Sequence, residues 1–420
     1  MRIVYLSPCG QLGGAETSLL ELLSSVRVAA PDWELWLVLG ADGPLAAEAK
    51  RRGVQVVVQP FPSALSRLGD ARSTGIALAA GLVGAAAGIG RYKRALESTV
   101  AMLAPDIIHT NGFKMHLLGA WIRPPRVPLI WHIHDYVSSR RLMSRLLRLF
   151  RKSCSVSIVN SRSVAADVHK LLPDLSIVPI YNAVDLRRFS SNGTKLDLDA
   201  AAGLSPARPG VIRVGLVATF AKWKGHNVFL QALARLSSDL PVRGYVIGGP
   251  IYETVGSQWS VEELKLTSDR LGLQDKVGFT GFMADVPSAI RSLDIVVHAS
   301  TQPEPFGMVI IESMACGRPV IASGGGGALE IVADGENALA HPPGDVAVLA
   351  RRIEQLALDA ELRHRLGRMG RATAERLYGG ERLAEQLLTL YRDFYKLSST
   401  PVPIGSTCAS RSFPSCQRPQ

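Results

Sequence analysis

Through residues 1–185, runs of Val, Ile and Leu that are apolar at successive positions alternate with helix-length stretches, the runs falling at 2–6, 34–39, 54–58, 106–110, 128–132, 156–160 and 177–181. A strand that is apolar on both faces must be covered on both, so the pattern predicts a parallel sheet between two layers of helix. Residues 186–210, LRRFSSNGTKLDLDAAAGLSPARPG, break the pattern with Ser, Asn, Gly and Pro and read as a linker. A second series follows at 211–217, 244–248, 277–281, 294–299 and 319–323. The expected fold class is α/β: two Rossmann-like, doubly wound domains, 1–185 and 211–375, facing each other across a cleft with ligands at the carboxyl ends of the strands. Leu383, Leu387, Leu388, Leu390, Tyr391 and Phe394 stand at helical spacing, which predicts a last helix within 376–396 with an apolar face to pack back on the first domain. Residues 397–420 have no periodicity and are expected to be disordered.

Charge narrows the partners. With 47 Lys and Arg against 36 Asp and Glu the formal net charge is +11, which favours an anionic partner: a phosphorylated small molecule, an anionic lipid surface or a nucleic acid. Basic and apolar residues interleave in RRLMSRLLRLFRK at 140–152, a pattern that fits either a helix lying on a membrane or one with its apolar side on the core. Residues 73–90 carry no charge over 18 positions, the lower limit for a membrane span. Their alanines and glycines are weakly hydrophobic, so a packed helix or one touching lipid is expected ahead of a span. The five cysteines show no CxxC spacing, which disfavours a disulfide framework and a zinc site and fits a reducing cytoplasm. MRIVYLSPCG reads as a first strand and not as a secretory signal.

The candidate chemistry lies in EPFGMVIIESMACGRPV at 304–320. Glu304 follows a strand at its carboxyl end, and a helix beginning near Phe306 and Gly307 and stopping at Gly317 points its free N–H groups into the cleft beside it. Glu312 lies further along a helix whose other residues are nearly all apolar, and a carboxylate there needs hydrogen-bond partners that a sugar or ribose diol can supply.

The spacing E-x7-E in this setting resembles the signature of the retaining glycosyltransferases of family 4, also called glycosyl transferases group 1, which have the GT-B fold. The resemblance implies that Glu304 approaches the transferred sugar and Glu312 binds the ribose of a nucleotide-sugar donor. It places Phe306, Gly307 and Met308 on the donor side, with Met283, in GFTGFM at 278–283, near the base pocket. Lys224-Gly225 resembles the family's Lys-Gly, whose basic pair clamps the donor diphosphate. Many members have Arg after the glycine that closes the preceding strand; here the position is Leu216, and Lys222 is the candidate to replace the charge. Gly13 and Gly14, in GQLGGAE at 10–16, resemble the family's glycine loop, Gly13 on the acceptor side and Gly14 toward the donor. The family's active-site histidine falls on His134 of WHIHDY at 131–136, with His132 as competitor. His109 and Asn160 are further acceptor-side candidates.

The expected function is therefore a retaining, metal-independent glycosyltransferase that moves a sugar from a nucleotide-diphosphate donor to a lipid-linked or saccharide acceptor in surface polysaccharide or glycolipid assembly. It needs no cofactor and no nucleic acid, and is expected in the cytoplasm, peripheral on the inner face of the cell membrane. The alternatives are another GT-B enzyme such as a sugar-nucleotide epimerase, and a non-catalytic basic protein that binds membrane or nucleic acid.

Overall fold

The computed structural model describes residues 1–62, 75–250 and 257–399. In the first half, strands β1 (Arg2–Ser7), β2 (Glu34–Leu39), β3 (Gln55–Val58), β4 (Ile107–Asn111), β5 (Leu129–Ile133), β6 (Val156–Val159) and β7 (Ile177–Pro179) form one parallel sheet in the order β3-β2-β1-β4-β5-β6-β7. Alternation explains why the strands are apolar throughout. Ile3 and Tyr5 of β1 enter a core closed by the helix Gly14–Ala29, while Val4 and Leu6 enter the opposite core with Trp131, Tyr92 and Leu96.

The second half repeats the design. Strands β8 (Ile212–Val217), β9 (Val242–Ile247), β10 (Val277–Gly281), β11 (Ile295–His298), β12 (Val320–Ser323) and β13 (Leu339–His341) run parallel in the order β10-β9-β8-β11-β12-β13. In each sheet the order reverses at one strand, β1 in the first and β8 in the second. The loops after these two strands lie at the switch points where open α/β sheets form their ligand crevices.

The helix Gly380–Ser399 lies on the first sheet, with Leu383, Leu387, Tyr391 and Phe394 in the same core as Ile3 and Tyr5. The tail after 399 lies outside the described residues. Of the charge-free segment, residues 73 and 74 are likewise outside, and from Gly75 the backbone is one helix to Leu103 whose later turns bury Tyr92, Leu96 and Val100 in the first-domain core. Among the described residues no helix is long and apolar enough to cross a membrane.

Candidate active site

Glu304 is the buried centre of a polar cluster. The loop after β11 is fixed by its backbone: Gly327 N–H donates to the Glu304 carbonyl at 2.7 Å, and Glu304 N–H donates to the Gly325 carbonyl at 3.2 Å. The approach is close enough that a Cβ at Gly326, which has φ +67°, would sit 2.5 Å from the Glu304 carbonyl oxygen. Gly326 and Gly327 are thus explained by the seating of the 304–305 loop, a Cβ at Gly327 falling 2.2 Å from the Pro305 carbonyl oxygen.

The Glu304 carboxylate receives Lys224 Nζ at 2.8 and 3.0 Å, Ser300 Oγ at 2.8 Å and His298 Nε2 at 3.1 Å. Lys224 reaches it because Gly225, at φ +78°, lets the loop after β8 lie against the end of β11, where a Cβ would fall 1.9 Å from the Ala299 carbonyl oxygen. Burial by itself would raise the Glu304 carboxyl. The Lys224 charge and the hydrogen bonds outweigh it and hold the group well below the usual carboxylate range. Glu304 is therefore an anion at neutral pH, and in the ligand-free protein Lys224 is its counter-ion.

The helix Met308–Ala315 starts directly behind, with Gly307 as its N-cap and Met308 half-buried at its first turn. Glu312 is half-buried on this helix and, among the described residues, its carboxylate has no hydrogen-bond partner. Burial pushes it up to about 7, Arg188 partly offsetting and Glu21 of the first domain adding to the rise. A carboxylate placed without partners has its hydrogen-bonding capacity free for a ligand.

The first domain meets this cluster through Tyr136, whose hydroxyl donates to the Glu304 carbonyl at 3.3 Å. His134, two residues earlier, lies just past the end of β5. Its Nε2 is 2.5 Å from Asn111 Oδ1, an acceptor, so Nε2 carries the proton and the buried Nδ1, which has no partner, is a bare acceptor. Burial pushes His134 down to about 4, so it is neutral at pH 7 and able to accept from a hydroxyl.

Several expectations are corrected. His109 does not face an acceptor: it is fully buried, with Nε2 3.2 Å from His132 Nδ1 and Nδ1 2.8 Å from the Tyr391 hydroxyl. Alternation along β4 turns it to the face that the last helix covers, and His132 belongs to the same buried group. Asn160 donates to the His134 carbonyl at 3.1 Å, so it supports His134 and is itself buried. The Phe306 ring is core, 6.1 Å from Tyr181 and 5.9 Å from Tyr378, leaving only its backbone near the site. Lys222 does not join Lys224; its Nζ stands 4.6 Å over the Trp259 ring.

At the first switch point Gly13 is the buried N-cap of its helix, and its N–H is taken by Glu16 Oε2 at 3.2 Å. Gly14 is exposed, with open space where a Cβ would be. Met283 is half-buried at the carboxyl end of β10, beside exposed Phe282.

Three residues were missed from the sequence. His298 and Ser300 stand as an ordinary strand end until Glu304 folds back onto them. Glu330 accepts from Arg162 N–H at 2.9 Å, Ser163 N–H at 2.8 Å and Tyr181 Oη at 2.9 Å, so a second-domain carboxylate caps a first-domain helix. Only its place after the glycine run hinted at it. Among the described residues no group of three or more His, Cys, Asp and Glu is placed to hold a metal ion.

Two facing parallel domains, with a buried Glu–Lys pair at one switch point and a glycine loop at the other, define a glycosyltransferase of GT-B architecture. The chain matches the family described as Glycosyltransferase Family 4 over residues 12–188 and that described as Glycosyl transferases group 1 over residues 206–373, and it belongs to this family of glycosyltransferases. The crystal structure of Anabaena HepE in complex with UDP and glucose superposes with a TM-score of 0.76 at 26% identity, covering 95% of this chain and 100% of that one. The 2-deoxystreptamine N-acetyl-D-glucosaminyltransferase of Streptomyces fradiae is 28% identical over 409 residues, 89% of this chain and 91% of that protein. The N-acetyl-alpha-D-glucosaminyl L-malate synthase of Bacillus anthracis is 26% identical over 317 residues, 72% of this chain and 79% of its own.

Proposed function

We propose that the chain transfers a sugar from a UDP-sugar to a lipid-linked or saccharide acceptor, with retention at the anomeric carbon and without a bound metal. The observation that carries this reading is the Glu304–Lys224 pair, 2.8 Å apart, at the carboxyl ends of the two central strands of the second sheet. Its likeness to HepE, which binds UDP and glucose, supports the choice of nucleotide. As the bond from the sugar to the diphosphate breaks, negative charge develops on the leaving phosphate. Lys224 and the N–H groups at the start of the helix Met308–Ala315 are the groups placed to hold it. Glu304 faces the transferred sugar, Glu312 takes the ribose hydroxyls, and His134 Nδ1 accepts from a sugar hydroxyl. The diphosphate must share or replace Glu304 in the shell of Lys224, so donor binding loosens the hold of Lys224 on the Glu304 carboxylate, which Ser300 and His298 keep in place.

Incubation with UDP-sugars and a panel of acceptors, followed by proton NMR of the product, tests the reading: the anomeric coupling should match that of the donor. Turnover should persist in EDTA. Loss of turnover in chelator that magnesium or manganese restores would refute the metal-free clamp, and an inverted product would refute retention.

A lipid-linked acceptor would bring the enzyme to a membrane, and the helix Arg141–Phe150 has the outer face for it. Met143 and Leu147 point into the core, whereas Leu142 is 46% and Leu149 74% exposed beside the exposed Arg141, Arg145 and Arg148. Each such cation near an anionic bilayer contributes about 1 kcal/mol, screened by salt. Wild type should float with anionic liposomes at low salt and sink when Arg141, Arg145 and Arg148 are all changed to Ser. If wild type stays in the soluble fraction at low salt, the acceptor is soluble.

A further inference from the structure

On the side of the second domain behind the Glu312 helix lies a cavity of about 430 Å³ whose walls are basic. Arg318, Arg363, Arg368, Arg371 and His364 line it, with Ser191 of the inter-domain linker at its edge. Four arginines there face two carboxylates, Asp294 and Glu375, and both of these are engaged. Asp294 Oδ2 accepts from Arg213 N–H at 2.8 Å, and Glu375 Oε1 accepts from Arg371 Nε at 2.6 Å.

The arginines divide into two that are tied down and two that are not. Arg371 Nη1 donates to the Phe189 carbonyl at 2.8 Å and also to the Ala315 carbonyl at the end of the Glu312 helix. Arg363 donates to the Leu356 carbonyl and, at 2.9 Å, to the Ala357 carbonyl. Arg318 is held only through Nη1, 3.2 Å from the Leu293 carbonyl, while its buried Nε has no partner. Arg368 is exposed and, among the described residues, makes no ion pair or side-chain hydrogen bond; the same holds for His364. Arg368 thus leaves its whole fork unused and Arg318 leaves its Nη2 unused, and the forked donors of arginine match the oxygens of a phosphate. The volume is that of a small-molecule site.

We propose that this cavity is a second anion site, separate from the donor crevice, that binds a phosphorylated small molecule with Arg318 and Arg368 as its principal ligands and His364 at its rim. An anion seated there bridges the linker, through Ser191, to Gly317 at the end of the helix that carries Glu312. It therefore sits where binding on the back of the domain meets both the linker and the helix that carries Glu312.

Calorimetric titration of the full chain with inorganic phosphate, then with glucose 6-phosphate, tests the proposal on four proteins: wild type, Lys224→Ala, Arg368→Ala and Arg318→Ala. Wild type and Lys224→Ala, the latter titrated at a temperature where circular dichroism shows it folded, should bind with similar affinity. Arg368→Ala, at an exposed position that leaves the fold intact, should weaken binding at least tenfold, and Arg318→Ala should do the same. Glucose 6-phosphate binding no more weakly than phosphate fits a sugar phosphate in the cavity; phosphate alone binding overturns that ligand class. Loss of binding in Lys224→Ala with Arg368→Ala unchanged would place the anion in the donor crevice and overturn the proposal, as would no binding by wild type or equal binding by all four proteins. None of these readouts depends on the transfer reaction, so the proposal and the proposed function can fail separately.

Discussion

Lys224→Met should destabilise the ligand-free protein by about 3–5 kcal/mol, more than removal of both partners of the pair, and should abolish measurable sugar transfer. The asymmetry follows from burial. Glu304 is 7% exposed, and its carboxylate is held ionised by Lys224 with help from His298 and Ser300. Without the ammonium a buried charge is left uncompensated, whereas in Lys224→Met with Glu304→Gln no charge remains to be paired. The double variant should regain most of the stability and none of the turnover, because the group proposed to face the sugar and the group proposed to hold the diphosphate are both gone. Urea unfolding of wild type, Lys224→Met and the double variant, together with UDP release, measures the two effects. The pH dependence has a definite sign. A carboxyl depressed in the folded state contributes stability above its unfolded value near 4.5 that is lost as pH falls through the folded one, so acid should erode the difference between wild type and Lys224→Met. Equal stability of Lys224→Met and wild type at pH 7 would show that the pair carries no such weight.

The fold was legible because its signal is a repeated one. Strands buried on both faces leave runs that need no tertiary information, and all seven strands of the first sheet were anticipated to within a residue or two. β13 was not: Leu339–His341 is three residues long, too short for a run to stand out. In the sequence Glu304 and Glu312 stood out through the E-x7-E spacing and Lys224 through Lys224-Gly225, both carried by the resemblance to family 4 glycosyltransferases, and the structure brings Lys224 onto Glu304. What the sequence hid was direction and closure. A histidine on β4 faces either layer depending on which helix arrives, and His109 is sealed by Tyr391, 282 residues later in the chain. Phe306 was placed on the donor side by the same resemblance; its ring turns to Tyr181 and Tyr378 once those elements meet. Glu330 shows the same blindness across domains, since nothing near it in sequence reveals that the orphan N–H groups of Arg162 and Ser163 lie opposite.

Glu312→Gln should raise the stability of the ligand-free protein at pH 8 while weakening UDP binding roughly 10- to 100-fold, the loss expected when hydrogen bonds to a charged group are reduced. The stability gain comes from the raised carboxyl. Burial, with Glu21 adding and Arg188 opposing, lifts Glu312 to about 7, so the folded protein holds a proton that the unfolded chain releases above about 4.5. Stability from this group is full below 4.5 and falls as pH rises toward 7. Above 7 the folded protein carries an ionised carboxylate without partners, at a cost of about 3 kcal/mol by the usual 1.36 kcal/mol per pKa unit. Gln keeps the shape and never ionises. The variant should therefore melt several degrees above wild type at pH 8 and at the same temperature near pH 4.5. Saturating UDP should reverse the order at pH 8, because ligand that binds only the folded state stabilises wild type more. A group that lowers stability when empty and raises affinity when filled is a binding group; if Glu312→Gln melts below wild type at pH 8 without ligand, Glu312 is instead a structural carboxylate and the ribose role passes to another residue.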